Sequence, residues 1–233
     1  MIHVEIFYAH NELRNYSYLL INKEKKTSWI IDPYDAVAIK DYIKENTLRL
    51  QGVLNTHQHH DHIKGNGELV EEFKCPIIRL KDSEVLDLGS SSTLKAFNAP
   101  GHTMDHQIFF LKKDGKDEAL FAGDTLFYSG VGNCKNGGDV EALYHTIQDI
   151  LQNLSDAAVI YPGHDYEEKN LKFALKQEPE NDEIKKRLGA IEGRVSNLDF
   201  HTLKEEKKVN PFFRMGQVSL ESFKKLRSQR DTW

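Results

Sequence analysis

The stretch NTHQHHDHIKGN, residues 55–66, crowds four histidines and an aspartate between His57 and His62. Imidazole and carboxylate together suit borderline-to-hard cations such as zinc, iron or manganese. His57 and His59 stand two apart, just beyond the strand-like run GVLN (52–55). Residues two apart in extended chain point the same way, so one cation can take both. Asp61 and His62 follow at once, where a turn into a helix aims them beside the first pair. One compact loop can thus present ligands to two neighbouring cations. A zinc-finger reading does not compete, because Cys75 and Cys134 are not paired at ligand spacing.

A two-cation site needs more donors than this loop offers. Three further stretches supply them: APGHT gives His102, FAGDTLF gives Asp124 and VIYPGHDY gives His164. A glycine lies beside each donor and permits a tight turn or close backbone approach. The set then comes to seven donors from four loops. His106, four beyond His102, could stand behind the ligands, a structural or exposed role being the alternative. His60 lies between ligands and is expected to point away. His3, His10, His145 and His201 are read as structural or exposed.

Elements must hold these loops. Strand-like runs fall at 2–8, 16–22, 28–32, 52–55, 76–80, 107–112, 119–122 and 157–161. Residues 35–45 place Ile39, Tyr42 and Ile43 on one helical face. Residues 139–154 begin at the cap Asp139 and align Leu143, Ile147, Ile150, Leu151 and Leu154. Strands in series, then strands mixed with helices, predict an α/β layered domain over residues 1–165. From 166 onward only helical patterns occur: residues 167–178, then 180–195. The last is 219–229, with Ser219 as cap and Leu220, Phe223 and Leu226 as its apolar face. Residues 166–233 therefore read as a helical appendage, small enough to need docking on the main domain.

Composition narrows the function classes. No apolar run approaches the roughly 18 residues of a membrane helix. The start MIHVEIFYAH has neither a basic nor an apolar leader segment, so a cytoplasmic location is expected. Two cysteines make no disulfide framework. Cys75 reads as buried and Cys134 as a passive loop thiol. The net charge of −5 argues against nucleic acid. Residues 201–233 nonetheless hold eight basic side chains against four acidic ones, so this tail could grip a small anion.

The motif THQHHDH, with the later His, Asp and His, resembles the metallo-β-lactamase superfamily. GDTLF (123–127), YPGHDY (161–166), NLKFA (170–174) and NPFFR (210–214) make the chain most similar to the glyoxalase II, or hydroxyacylglutathione hydrolase, branch. The likeness runs from NYSYLL (15–20) to LRSQRD (226–231). It implies an αββα sandwich of two central sheets flanked by helices. It implies two divalent ions, zinc foremost, with iron or manganese as alternatives. His57, His59 and His102 would hold the first, and Asp61, His62 and His164 the second, with Asp124 bridging. Asp61 and Asp124 would be the catalytic carboxylates. Two cations about 3.5–4 Å apart lower the pKa of a shared water to about 7, giving hydroxide at neutral pH to attack a thioester carbonyl. The thiolate then leaves without prior protonation, so no general acid is needed.

The same likeness implies a glutathione thioester as substrate, with Tyr166, Arg227 and Arg230 contacting the glutathione; a monomer is expected. The loop GVGNCKNG (130–137) departs from the family's pattern. Asn133 stands where a basic residue is usual, and Lys135 two further on is its candidate substitute. Rival readings are a mononuclear-iron persulfide dioxygenase of the same superfamily and a non-catalytic, metal-stabilised binding module.

Overall fold

A computed structural model describes residues 2–194, 199–213 and 218–233, the side chains at 151 and 152 excepted. Val195, Arg214 and the Leu151 side chain, which figured in the expectations above, lie outside the described residues. Two sheets form the centre. The first runs β1 (Ile2–Tyr8), β2 (Tyr16–Asn22), β3 (Thr27–Ile31) and β4 (Arg49–Leu54), antiparallel except for the parallel β3–β4 pair. The second is ordered β11 (Val159–Pro162), β8 (Lys116–Gly123), β7 (Gln107–Lys113), β6 (Ser92–Asn98) and β5 (Val85–Gly89). Only its β11–β8 pair is parallel. A short hairpin, β9 (Leu126–Phe127) with β10 (Gly130–Val131), follows β8.

Strand β2 shows why the sheets stack. Its side chains alternate: Tyr18 and Leu20 face the second sheet, while Leu19 and Ile21 face the helical side. The inter-sheet core adds Trp29, Leu54, Leu94, Phe109 and Phe121. Truncating a ring such as fully buried Phe121 to alanine costs on the order of 3–5 kcal/mol. Helices α1 (Ala36–Glu45), capped by Asp35, and α3 (Asn66–Phe73) cover the outer face of the first sheet through Ile39, Ile43 and Leu69. Helix α4 (Val140–Asn153), capped by Asp139, covers the second through Leu143, Ile147 and Ile150. The result is the expected αββα layering.

The described residues beyond β11 form α5 (Glu167–Gln177), α6 (Asp182–Ile191), α7 (Leu203–Val209), a 3-10 turn (Pro211–Phe213) and α8 (Leu220–Asp231). Phe173, Phe212 and Phe223 join the apolar cluster under α4 and so dock these helices on the sandwich. A buried ion cluster reinforces the seam. Arg187 pairs with Glu167 and, at 2.8 Å, with Glu206, whose Oε2 accepts from the Ser129 backbone N–H at 2.8 Å.

Two departures from the sequence reading stand out. Residues 76–80 make only a bridge, Val53 to Ile77, because the chain runs beside β4 for one residue and leaves Ile77 half exposed. Strands β5 and β6 were not anticipated. The buried face of β6 carries Ser92 and Ala96 beside Leu94, too small and polar to signal a strand.

Candidate active site

All four donor loops emerge at one end of the sandwich. β4 ends at Leu54, and the chain turns through His57 and His59 into α2 (His60–Ile63), whose first turn carries Asp61 and His62. His102 lies between β6 and β7. Pairing of β11 with β8 sets Pro162 opposite Gly123, so Asp124 and His164 leave side by side. A Cβ on Gly163 would sit 2.4 Å from Asp124 Oδ1; only glycine lets the backbone pass there.

The seven donors converge in two groups. His57 Nε2 and His102 Nε2 each lie 3.0 Å from His59 Nδ1. His62 Nε2 and His164 Nε2 are 3.2 Å apart, and each is 3.4 Å from Asp61 Oδ2. Asp124 splits its carboxylate between them. Oδ1 lies 3.3 Å from His62 Nε2 and 3.2 Å from His164 Nε2, while Oδ2 lies 3.4 Å from His102 Nε2. His57, His62, His102, Asp124 and His164 are buried, whereas His59 and Asp61 are partly open and mark the mouth.

Partners behind the ligands fix their orientation. His62 Nδ1–H donates to Asp32 Oδ2 at 2.9 Å, His102 Nδ1–H to the Asn133 carbonyl at 2.6 Å and His164 Nδ1–H to the Leu13 carbonyl at 2.7 Å. The Thr56 hydroxyl donates to Asp32 Oδ2 at 2.6 Å and so accepts from His57 Nδ1–H at 3.0 Å. Asn15 Nδ2 donates to Asp61 Oδ2 at 2.9 Å. His106 lies beneath the site. Its ring stacks on His57 at 4.8 Å, and its Nε2 accepts from the Asp124 backbone N–H at 3.1 Å. Burial, with His102 adding to it, pushes the His106 pKa down to about 3, so the ring is neutral.

These contacts answer whether cations fit. With the outward Nδ1–H groups committed, His57 and His102 aim lone pairs at the same space as His59. Lone pairs at such distances repel unless a cation sits between them. Burial holds both His57 and His102 below the usual imidazole range, in the neutral form that binds metal. Asp124 Oδ1 is buried with no hydrogen-bond donor. Burial works against charge on Asp124 and on His62. The His164 and His62 charges nonetheless hold Asp124 well below the usual carboxylate range, and Asp124 and Asp32 raise His62 well above the usual imidazole range. Both shifts mark a position that demands positive charge. The donor spacings of 3.0–3.4 Å match the edges, about 3.3 Å, of a tetrahedron with metal–nitrogen bonds of about 2.0–2.1 Å.

Beside the donors lies a cleft of about 170 Å³. Asn133, Lys135, Tyr166, Arg227 and Arg230 all line it, with Asp231 the one acid among the lining residues. Tyr166 stacks on His164 at 4.9 Å. Arg230 donates to Asn170 Oδ1 at 3.0 Å, and Lys135 Nζ donates to the Asp231 carbonyl at 3.1 Å. Arg227 turns inward, and its Nη1 donates to the carbonyls of Val131 and Gly132 at 2.7 and 3.3 Å. Cys134 is half-buried, and burial pushes its thiol up to about 11, consistent with a passive role.

Asp32, Asn15, Thr56, Leu13 and Asn170 were not foreseen. Asp32 alone left a trace, as an acid ending an apolar strand.

Comparison with known proteins agrees with this architecture. Residues 11–86 match the metallo-β-lactamase superfamily, and residues 165–233 match the hydroxyacylglutathione hydrolase C-terminus. The chain is 36% identical to a hydroxyacylglutathione hydrolase of Polaromonas sp., over 98% of this chain and 94% of that protein. It is 29% identical to a protein of Arabidopsis thaliana named hydroxyacylglutathione hydrolase cytoplasmic, over 99% of each. The crystal structure of ETHE1 from Myxococcus xanthus shares the fold, with a TM-score of 0.73 at 24% identity over 97% of this chain and 90% of that one. The fold and the His/Asp cluster together imply divalent-metal binding. The chain therefore belongs to the hydroxyacylglutathione hydrolase family, thioester hydrolases of the metallo-β-lactamase superfamily.

Proposed function

We propose that this protein hydrolyses S-(2-hydroxyacyl)glutathione, S-D-lactoylglutathione among such substrates, to glutathione and a 2-hydroxy acid. The observation that carries this reading is the divided Asp124 carboxylate, one oxygen facing each donor group, beside a cationic cleft. His57, His59 and His102 would hold one divalent ion and Asp61, His62 and His164 another, with Asp124 shared and zinc the foremost candidate. When bound, such a pair supplies Lewis acidity and hydroxide at neutral pH.

The chain's own groups do the rest. Asn15 and the neighbouring histidines fix the Asp61 carboxylate at the open side of the cluster, where it can orient an attacking water. His106 and Thr56 hold Asp124 and His57 from below. Lys135 and Arg230 favour an anionic substrate, and Tyr166 offers its ring and hydroxyl between cleft and donors. The departing thiolate needs no proton from the protein, because a thiol of pKa about 8.5 is a good leaving group.

Within this reading residues 1–165 perform the chemistry and 166–233 bind the glutathione portion. The enzyme acts as a monomer. It works in the cytoplasm, a reading supported by its two free cysteines and by the name of the Arabidopsis relative. The test is a hydrolysis assay on S-D-lactoylglutathione. Turnover that a chelator abolishes and added zinc restores is expected. A protein carrying its full complement of ions that releases no thiol would overturn the substrate assignment.

A further inference from the structure

Arg227 lines the cleft but is turned inward from it. The residue is 4% exposed, and the guanidinium lies over the fully buried Phe212 ring at 5.8 Å. Nη1 spans the carbonyls of Val131 and Gly132, while Nη2 donates to Asp231 Oδ1, one helical turn on, at 2.9 Å. Nε is buried without a partner. The two terminal nitrogens are thus committed to the chain, and the third is walled off.

What those bonds hold is close to the donors. A Cβ on Gly132 would sit 1.9 Å from the Asp124 carbonyl oxygen and 3.1 Å from His102 Nδ1. The Gly132 backbone therefore presses on two of the seven ligand residues. The next residue, Asn133, provides the carbonyl that accepts from His102 Nδ1–H at 2.6 Å. That bond fixes which nitrogen His102 turns toward the cluster and the plane of its ring. A charged donor gripping two successive carbonyls just before Asn133 limits the positions the Asn133 carbonyl can take.

We infer that Arg227 is a positioning residue: from α8 it clamps residues 131–132, and through the Asn133 carbonyl it sets His102 for the ion of the His57–His59–His102 group. The inference rests on the reading that His102 is a metal ligand. It links the last helix to the donor cluster.

Arg227→Lys separates this role from a substrate contact. Lysine keeps the charge a carboxylate would feel but lacks the planar fork that bridges two carbonyls. The experiment is equilibrium dialysis of wild-type and Arg227→Lys protein against a graded zinc chelator, with ions per chain read by elemental analysis. Expected is an affinity about tenfold weaker for one of the two ions, the other unchanged. Arg230→Lys, treated identically, should retain both at wild-type affinity. Zinc affinities in Arg227→Lys equal to wild type overturn the clamp, whatever happens to KM. Wild-type protein that retains fewer than two ions overturns the underlying ligand assignment instead. Should Arg227→Lys fail to fold, Asp231→Asn loosens the same guanidinium and is read by the same dialysis. Weakening confined to one ion supports the clamp, and unchanged affinities overturn it.

Discussion

The donor cluster and the cationic cleft lie side by side but are built differently. In the cluster, five of the seven side chains, His57, Asp61, His62, His102 and His164, are held from behind by a hydrogen bond, and all of these but Asp61 are buried. In the cleft, exposed Lys135 comes from a loop and partly open Arg230 from a helix, and each has a single hydrogen-bond partner, the Asp231 carbonyl and Asn170. A buried, hydrogen-bonded group has one arrangement available; an exposed lysine or a partly open arginine has several. The chemistry is therefore rigidly specified, and the fit to substrate is adjustable.

Replacements should separate the two regions. Asp124→Asn removes the carboxylate facing both donor groups. It should lower kcat/KM at least about a thousandfold, several kcal/mol of transition-state stabilisation, and reduce bound metal. Steady-state kinetics and elemental analysis would check this; a variant with full metal content and near-normal rates would break the contrast. Asp32→Asn leaves the ligands in place but weakens the acid behind His62. A loss of about 10–100-fold in metal affinity or activity is expected, measured by chelator competition. Arg230→Gln belongs to the cleft. It should raise KM about tenfold, the worth of one charge-assisted hydrogen bond, with kcat nearly unchanged. A kcat loss at constant KM would place Arg230 with the chemistry instead.

The ligands themselves were legible because a run such as HQHHDH is an improbable way to fill a loop, and its spacing maps directly onto an extended segment followed by a turn. Their supports were not. Leu13 and Asn133 act through backbone carbonyls, which every residue carries, so no residue type marks them. Asp32 sits at a φ of 49°, an arrangement that aspartate tolerates but sequence does not announce. Helix caps at Asp139 and Ser219 were readable because a short polar side chain before an apolar stripe has few other uses. The inward course of Arg227 was not readable, since spacing three from Arg230 places both near one helix face without saying which one meets solvent.

The smallest expected effect lies at the seam between sandwich and terminal helices. Burial, aided by Arg187, pushes the His201 pKa down to about 4, against about 6.5 in an unfolded chain. Between those values the unfolded state binds more protons, so His201 makes folding stability fall as pH drops from about 6.5 to 4. His201→Gln should flatten that part of the wild-type profile in denaturant titrations and leave the profile above pH 7 unchanged. An identical slope in both proteins would show that the imidazole is not held neutral.

The central claim is that seven side chains hold a pair of cations. Elemental analysis of purified wild-type protein, dialysed free of loose metal, tests it most directly. Two divalent ions per chain are predicted, with Asp124→Asn holding fewer. A wild-type chain with one ion or none after incubation with excess zinc would contradict the account.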